Sequence, residues 1–143
     1  MKLQELMTRQ VVQIAPEETV AVAARRLAQY NIGSLPVCGV DGALKGLVTD
    51  RDLVTRCLAA GKSPEQTKVR EVMTSAVVAG APEMEASAAA HLMGRHQIRR
   101  LPVVEQGKIR GMVSLGDLAN REESVYDATD ALADISSNVS VRD

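Results

Sequence analysis

The chain has 143 residues and is 45% hydrophobic, yet it contains no Phe or Trp and only two Tyr, so its core must be built from aliphatic side chains and Met. Its 17 basic and 18 acidic residues give a formal net charge of −1, which excludes a strong overall field for nucleic acids or anionic membranes. No apolar run approaches the roughly 18 residues of a membrane span, and we expect a soluble, cytoplasmic protein with no nucleic-acid and no membrane partner.

The sequence contains an internal repeat, which is its most informative feature. Met7 recurs as Met73, so the offset between the two copies is 66 residues. Gly46 recurs as Gly111 with an offset of 65 residues, because a turn in the first copy is one residue longer. Further matched pairs are Thr8/Thr74, Val12/Val78, Pro16/Pro82, Leu35/Leu101, Pro36/Pro102, Thr49/Ser114 and Asp52/Asp117.

In chain order, the first copy begins with the apolar strand VVQI at residues 11–14, a Pro-Glu turn and a helix that Thr19 opens. Asn31 and Gly33 are typical of the end of this helix. Its apolar positions follow helical spacing and are Val20, Ala23, Ala24, Leu27 and Ala28. The strands LPVC and LKGLV follow, and a second helix, DRDLVTRCLAA, is closed by Gly61.

The second copy has the same order: VVAG, a helix opened by Glu85, the strands LPVV and IRGMV, and a helix that begins after Ser114. Each copy is strand, helix, strand, strand, helix, and we predict an α/β (α+β) fold in which two pseudo-symmetric repeats pack through their sheets. The predicted boundaries are residues 6–62 for the first domain, residues 72–122 for the second, and residues 123–143 for an acidic amphipathic C-terminal tail that caps the fold or contacts a partner.

The doubled pattern of Met-Thr, Pro-Glu, Leu-Pro-Val and Gly-x-x-[Ser/Thr]-x-x-Asp resembles a tandem pair of CBS domains (the cystathionine β-synthase domain), also called a Bateman module. The resemblance extends from about Leu6 to about Leu118 and is to the small stand-alone bacterial CBS-pair proteins, some of which belong to stress or hypoxic responses. It implies a regulatory homodimer that senses adenine nucleotides (AMP, ADP or ATP) and acts on an unknown downstream protein. No tightly bound cofactor and no metal are expected.

Thr49 and Asp52 stand where a buried strand runs into a helix. A hydroxyl at that point lies beside the unpaired amides of the helix N-terminus, which favour phosphate oxygens. A carboxylate three residues later is on the same side of the helix start and can accept both hydroxyl groups of a ribose. A structural alternative stays open, since Thr is an ordinary N-cap residue and Asp is favoured in a first turn without any ligand. The resemblance adds Leu47 beside the purine.

Arg99 and Arg100 suit the phosphate group of a nucleotide, because guanidinium groups offer forked donors. By the resemblance, the residues just before Leu-Pro-Val of one repeat reach the phosphate of a nucleotide whose ribose is held by the Asp of the other repeat. The resemblance also assigns Val77 and Val78 to the base. The alternative is that the two arginines form a solvated surface pair.

Together these assignments predict one strong adenine-nucleotide site per chain. Its residues are Leu47, Thr49, Arg51, Asp52, Val77, Val78, Arg99 and Arg100. A second, weaker cleft would join Ser114 and Asp117 with Gly33 and Ser34, where the cationic pair is missing.

Other functional classes have less support. No GxSxG, HExxH or GxxxxGK[ST] motif occurs, and His91 within AAAHLM is typical of a packing or surface residue, so we predict no catalytic residues and no enzyme. Cys38 and Cys57 do not form a CxxC pair, and two buried or half-buried free thiols are expected. The main alternative to nucleotide sensing is a ligand-free dimeric interaction or stress protein, assembled through apolar helix faces such as LVTRCLAA.

Overall fold

The computed structural model describes the backbone of residues 1–120 and 125–142 and the side chains of residues 1–120 and 126–136. The helices are α1 (Leu3–Leu6), α2 (Val20–Tyr30), α3 (Asp50–Asp52), α4 (Ala86–His96), α5 (Leu115–Ala119) and α6 (Val125–Arg142). The strands are β1 (Ser34–Cys38), β2 (Leu44–Thr49), β3 (Arg100–Glu105) and β4 (Lys108–Ser114), and a short 3-10 helix covers Val69–Glu71.

The chain folds into two compact units. The first unit is Val12–Val77, and the second unit combines Met1–Val11 with Val78–Asp143. The opening residues of each sequence repeat therefore belong to the unit that contains the other repeat's hairpin. The mixed α+β class and the two repeats, each with a two-stranded sheet and helices, are confirmed.

The first unit is built around the antiparallel hairpin of β1 and β2, in which Leu35 pairs with Val48. Helix α2 begins where the Thr19 hydroxyl accepts a hydrogen bond from the Val22 N–H (3.3 Å), and it ends at Asn31, whose φ of 53° is left-handed. Both helix boundaries agree with the sequence prediction. The buried core of this unit is Ile14, Val20, Ala23, Leu27, Leu35, Val37, Val48, Leu53, Cys57, Val69 and Val72. Ala24 and Ala28, which share the helical spacing, are exposed.

The strand predicted at the start of each copy is reduced to one bridged residue. Ile14 forms a parallel bridge with Val37, and Gly80 forms the equivalent bridge with Val103. Ile14 accepts from the Cys38 N–H (2.9 Å) and donates to the Pro36 carbonyl (3.0 Å). Ladder pairing stops there because the chain turns at once, with the Glu18 N–H donating to the Ala15 carbonyl.

The second helix of the first copy differs in type from the prediction. Only α3 is α-helical, and Leu53–Leu58 continues it as a π-helix. The Ala59 N–H donates to the Val54 carbonyl and the Lys62 N–H to the Cys57 carbonyl, both five residues back. The predicted stop is confirmed, since Gly61 has a φ of 73°, where a side chain would be strained.

The second unit repeats the hairpin with β3 and β4, in which Leu101 pairs with Val113. Thr8 extends the sheet by a bridge to Met112. The buried core of this unit is Leu3, Ala86, Ala89, Ala90, Met93, Leu101, Val103, Val113, Leu115, Leu118, Ala128, Ala131 and Ile135.

The predicted acidic tail packs within its own unit. Helix α6 lies against α4 and α5 and buries Ala128, Ala131 and Ile135. The tail prediction starts at residue 123, and residues 121–124 lie outside the described part of the chain. Within the described residues, no helix is both long enough and apolar enough to cross a membrane.

Candidate functional site

The start of α3 is fixed by a reciprocal capping box between two of the predicted site residues. The Thr49 hydroxyl accepts from the Asp52 N–H (3.1 Å), and the Asp52 carboxylate accepts from the Thr49 N–H (3.0 Å). The same residues therefore satisfy two orphan amides of the helix N-terminus. This is the structural role that the sequence left open beside nucleotide binding.

The Asp52 carboxylate keeps hydrogen-bond acceptor capacity beyond the one bond that it accepts in the cap. Its Oδ2 atom accepts the Thr49 N–H, whereas Oδ1 lies 3.6 Å from the Arg56 Nε, a distance that makes a weak ion pair. The carboxylate offers about four lone-pair sites, and its side chain is only 13% exposed. Asp52 thus combines partial desolvation with spare acceptor capacity, which suits a diol donor.

Arg56 is a residue that the sequence analysis missed. Its guanidinium donates to the Val72 carbonyl (3.0 Å) and to the Thr74 hydroxyl (3.2 Å), in addition to facing Asp52. The four-residue separation of Asp52 and Arg56 was the available signal, but the link to residues 72–74 depends on the tertiary fold. Arg56 thereby ties the start of the helix to a distant segment of the first unit.

Ser114 and Asp117 form the same capping box in the second unit. The Asp117 N–H donates to the Ser114 hydroxyl (3.0 Å), and the Ser114 N–H donates to the Asp117 carboxylate (2.9 Å). In both units, the Ser/Thr-x-x-Asp motif therefore has a structural role, which is to cap the start of a helix. Because the two boxes agree within about 0.1 Å, substitutions of Asp52 and Asp117 remove equivalent caps.

Leu47 has both backbone groups occupied, since it exchanges two hydrogen bonds of 2.9 Å with Thr74. Only its half-buried side chain is available to contact a base. Val77 is half-buried in the first unit, and Val78 is half-buried against the core of the second unit. Neither valine lies in a strand.

The three predicted arginines are exposed. The Arg51 N–H donates to the Asp50 carboxylate (2.8 Å), and its guanidinium has no hydrogen bond or ion pair with the described residues. The guanidiniums of Arg99 and Arg100 are likewise without such partners in the described part of the chain. The Arg99 carbonyl accepts from the Leu115 N–H (2.9 Å), so the backbone is anchored while the cations are unpaired.

Arg100 is the register partner of Ser114 across the β3–β4 hairpin. The cationic pair therefore adjoins the helix start of its own repeat, a proximity that the sequence analysis did not predict although the hairpin register implies it. In the first unit, Ser34 occupies the corresponding place opposite Thr49, and its buried hydroxyl has no hydrogen-bond partner among the described residues.

The predicted strong site takes its residues from both units. Leu47, Thr49, Arg51, Asp52 and Val77 belong to the first unit, and Val78, Arg99 and Arg100 belong to the second. The second, weaker cleft likewise takes Gly33 and Ser34 from the first unit and Ser114 and Asp117 from the second. Each half of each predicted site is well defined within its unit, and the pairing of the halves stays a prediction.

Other titratable and metal-binding groups lie outside these residues. Cys38 and Cys57 are buried and free, as predicted, and burial raises the pKa of the Cys38 thiol to about 11. His91 is an exposed surface residue whose Nε2 lies 2.8 Å from the Asp127 carboxylate. Within the described residues, no three His, Cys, Asp or Glu side chains converge as metal ligands.

Comparison with known proteins shows where this arrangement belongs. The CBS domain model matches residues 3–59 and again residues 69–124. CBS domain-containing protein YhcV of Bacillus subtilis is 44% identical over 134 residues, which are 94% of each chain. Hypoxic response protein 1 of Mycobacterium tuberculosis is 32% identical over 115 residues, which are 80% of each chain.

Solved structures share the fold. The crystal structure of Hypoxic Response Protein I with two coordinated zinc ions has a TM-score of 0.79 at 30% identity, covering 85% of this chain and 98% of that one. A hexameric CBS-CP12 protein from bloom-forming cyanobacteria has a TM-score of 0.75 at 30% identity, covering 88% of this chain and 73% of that one. The chain belongs to the CBS-domain family: it is a CBS-pair regulatory module, homologous to hypoxic response protein 1 and to other stand-alone CBS-pair proteins.

Proposed function

We propose that this module binds one adenine nucleotide per chain. Asp52 accepts the ribose hydroxyls, the Thr49 hydroxyl and the guanidiniums of Arg99 and Arg100 donate to the phosphates, and Leu47, Val77 and Val78 contact the base. Arg51 adds a further exposed cation beside Asp52. Occupancy is transmitted through the conformation of a homodimer to a downstream protein, because a ligand can bias only those states that it distinguishes.

The observation that carries the proposal is a difference between the two repeats: the helix starts are equivalent, but the residues just before Leu-Pro-Val are not. Where the second repeat has Arg99 and Arg100, exposed and without partners among the described residues, the first repeat has Gly33 and Ser34. Exposed guanidiniums without partners among the described residues offer forked donors to a phosphate. Membership of a family whose paired domains typically bind adenosine ligands supports the same assignment.

Isothermal titration of the purified chain with AMP, ADP and ATP tests the proposal. At least one nucleotide is expected to bind with a stoichiometry of about one per chain. Asp52→Asn is expected to weaken it about tenfold or more, since a hydrogen bond to a charged group contributes about 1.5–3 kcal/mol. Asp117→Asn is the matched control, because it perturbs an equivalent capping box and is expected to leave the affinity unchanged.

The arginines are tested separately from the carboxylate. The Arg99→Gln/Arg100→Gln variant is expected to weaken ADP and ATP binding about tenfold or more, whereas Arg95→Gln/Lys108→Gln removes the same charge from exposed positions outside the site and is expected to have little effect. Absence of heat with all three nucleotides, or equal affinities for the Asp52 and Asp117 variants, would overturn the proposal.

A second candidate function is a ligand-free dimeric interaction or stress protein. The capping boxes favour it, because the hydrogen bonds of each box are complete without a ligand. Self-association has a precedent in the hexameric CBS-CP12 structure. Sedimentation of the chain with and without nucleotide separates the two functions: a sensor changes its sedimentation on binding, and a scaffold forms the same oligomer in both conditions.

We also propose that the chain is not an enzyme and that it resides in the cytoplasm. Its stand-alone relatives support a regulatory role in place of catalysis. The buried free thiols of Cys38 and Cys57 suit a reducing compartment. Incubation with ATP followed by product analysis tests the first proposal, and fractionation of the source cells tests the second.

A further inference from the structure

The guanidinium of Arg56 connects two parts of the first unit that are far apart in the sequence. Its Nη1 atom donates to the Val72 carbonyl (3.0 Å) and to the Thr74 hydroxyl (3.2 Å), and its Nε atom lies 3.6 Å from Oδ1 of Asp52. A guanidinium carries five N–H donors in a fixed fork, so one group can serve partners on different sides. A single cation therefore joins the Asp52 carboxylate to residues 72–74.

The segment that Arg56 holds lies beside β2. Thr74 exchanges two hydrogen bonds of 2.9 Å with Leu47, and we call this pair of bonds the Leu47–Thr74 bridge. Val72, the other partner of Arg56, is 1% exposed and belongs to the buried core of the unit. Leu47 contacts the base in the proposed function, and Val77, a further base contact, follows Thr74 by three positions. The bridge therefore adjoins the part of the site that this unit offers to a base.

Arg56 depends on more than one anchor. Its side chain is 48% exposed, and ordering a long side chain at the surface has a cost in conformational entropy. The hydrogen bonds to residues 72 and 74 and the attraction to Asp52 offset that cost together. At 3.6 Å the ion pair is longer than a hydrogen bond, and water weakens it further. A change in the surroundings or the charge of Asp52 is therefore expected to change how firmly Arg56 holds Thr74.

We propose that Arg56 is a positioning residue that couples the Asp52 carboxylate to the Leu47–Thr74 bridge. A nucleotide whose ribose donates to Asp52 displaces water from the carboxylate, and the attraction between Asp52 and Arg56 increases because the local dielectric constant falls. Arg56 is then held more firmly, and the bridge opens less often. The identity of the ligand rests on the proposed function, whereas the link from Asp52 through Arg56 to Thr74 consists of contacts within the protein alone.

Hydrogen exchange of the full chain without nucleotide tests the link directly. The Leu47 and Thr74 amides report on the bridge, since each donates to the carbonyl of the other residue. Arg56→Gln is expected to speed their exchange about tenfold, and Asp52→Asn about threefold. Arg25→Gln is the matched control, because it removes an exposed guanidinium of the same unit that has no partner among the described residues, and it is expected to leave both amides unchanged.

The double variant separates a link through Arg56 from a weakened helix cap. Asp52→Asn also alters the capping box with Thr49, and an effect of the cap would persist in a chain that lacks the guanidinium. If Arg56 carries the effect, Asp52→Asn has no further influence on the bridge in the Arg56→Gln chain, so the two substitutions are not additive. Additive increases in exchange, or unchanged exchange in Arg56→Gln, overturn the proposal.

The same amides are then measured with whichever of AMP, ADP and ATP binds most tightly, at concentrations that saturate each chain. Binding is expected to slow Thr74 exchange about tenfold in the wild type and by less than about twofold in Arg56→Gln. Equal slowing in both chains overturns the proposal, because the nucleotide would then protect the bridge by direct contact. If none of the three nucleotides binds, the proposed function fails, and the measurements without nucleotide decide by themselves whether Arg56 couples Asp52 to Thr74.

Discussion

Gly46 lies so close to Thr74 that a Cβ on residue 46 would stand 2.8 Å from the Thr74 carbonyl oxygen and 2.7 Å from the Met73 sulfur. Gly111 has the same relationship to Thr8 and Met7, at 2.9 Å and 2.7 Å. In both units, a Met-Thr segment from far along the chain crosses a strand at a glycine. The recurring Met-Thr and Gly motifs therefore form the same structural contact in each of the two units.

Replacement of either crossing glycine by alanine is expected to destabilise the protein. Because the nearest obstacle includes a backbone carbonyl, the bridge between β2 and Thr74, or between β4 and Thr8, must shift. We expect a loss of about 1–3 kcal/mol in the free energy of unfolding for Gly46→Ala and for Gly111→Ala, the range of overpacked sites. Urea denaturation followed by circular dichroism measures it.

Gly33→Ala is the control for this prediction. Its Cβ would meet only the Asp50 carboxylate, at an ordinary 3.5 Å. We expect unfolding within about 0.5 kcal/mol of the wild type, as at surface sites. Equal losses at residues 33 and 46 would show that the close approach is not the cause.

The contact of Gly94 with Ala131 predicts how α6 is held. A Cβ on residue 94 would lie 3.1 Å from the Ala131 Cα and 3.2 Å from its Cβ, so α6 must move outward. We expect Gly94→Ala to speed hydrogen exchange of the α6 backbone and to lower the free energy of unfolding, although alanine improves the helix propensity at residue 94 by about 1 kcal/mol. Gly116→Ala gains propensity without a close contact, its nearest atom being the Ser114 hydroxyl at 3.6 Å, and is expected to leave α6 unchanged.

The two capping boxes predict matched losses of stability. Thr49→Ala leaves the Asp52 amide without its acceptor, and Ser114→Ala does the same to the Asp117 amide. Each substitution is expected to cost about 1 kcal/mol, the usual value for an N-cap. Thr49→Ser and Ser114→Thr keep the hydroxyl and are expected to restore stability. Thermal denaturation of the four variants checks this, and an unchanged Thr49→Ala protein would contradict it.

Local chemistry explains which elements could be predicted from the sequence. Thr19, Asn31 and Gly61 each act through neighbouring backbone groups, and the structure places all three as helix boundaries where the sequence placed them. The hairpins followed from pairs of short apolar runs, and the structure places Gly42 and Gly107, which have positive φ, in their turns. The repeat strengthened the hairpin predictions, because the Leu-Pro-Val runs and the Ser/Thr-x-x-Asp helix starts occur twice.

Long-range packing explains what could not be predicted. The bridges of Thr8 with Met112 and of Leu47 with Thr74 join residues far apart in the sequence, and no local pattern indicates them. The π-helix over Leu53–Leu58, which buries Leu53 and Cys57 in the core of the first unit, has no local signal in the sequence. Of the candidate site, the helix starts were predictable, whereas the link from Arg56 to Thr74 was not.

The Glu18 carboxylate predicts a dependence of stability on pH. The Ala15 N–H donates to it (2.8 Å), which is the main cause that holds the pKa of Glu18 below its usual value of 4.5; burial opposes this shift, and Arg26 adds to it through two contacts of 3.2 Å. A carboxylate with a lowered pKa in the folded state stabilises the fold above pH 4.5. That stabilisation is lost as the pH falls through the folded-state pKa.

Glu18→Gln is therefore expected to unfold more easily at pH 7, by about 1 kcal/mol or less because the pair is partly exposed. The variant is expected to lose less stability than the wild type between pH 5 and pH 3, since residue 18 no longer titrates. Urea denaturation across this pH range measures both effects, with the exposed carboxylate variant Glu83→Gln as the control. Parallel pH profiles of the wild type and Glu18→Gln would show that the turn at Ala15 does not depend on the ionised carboxylate.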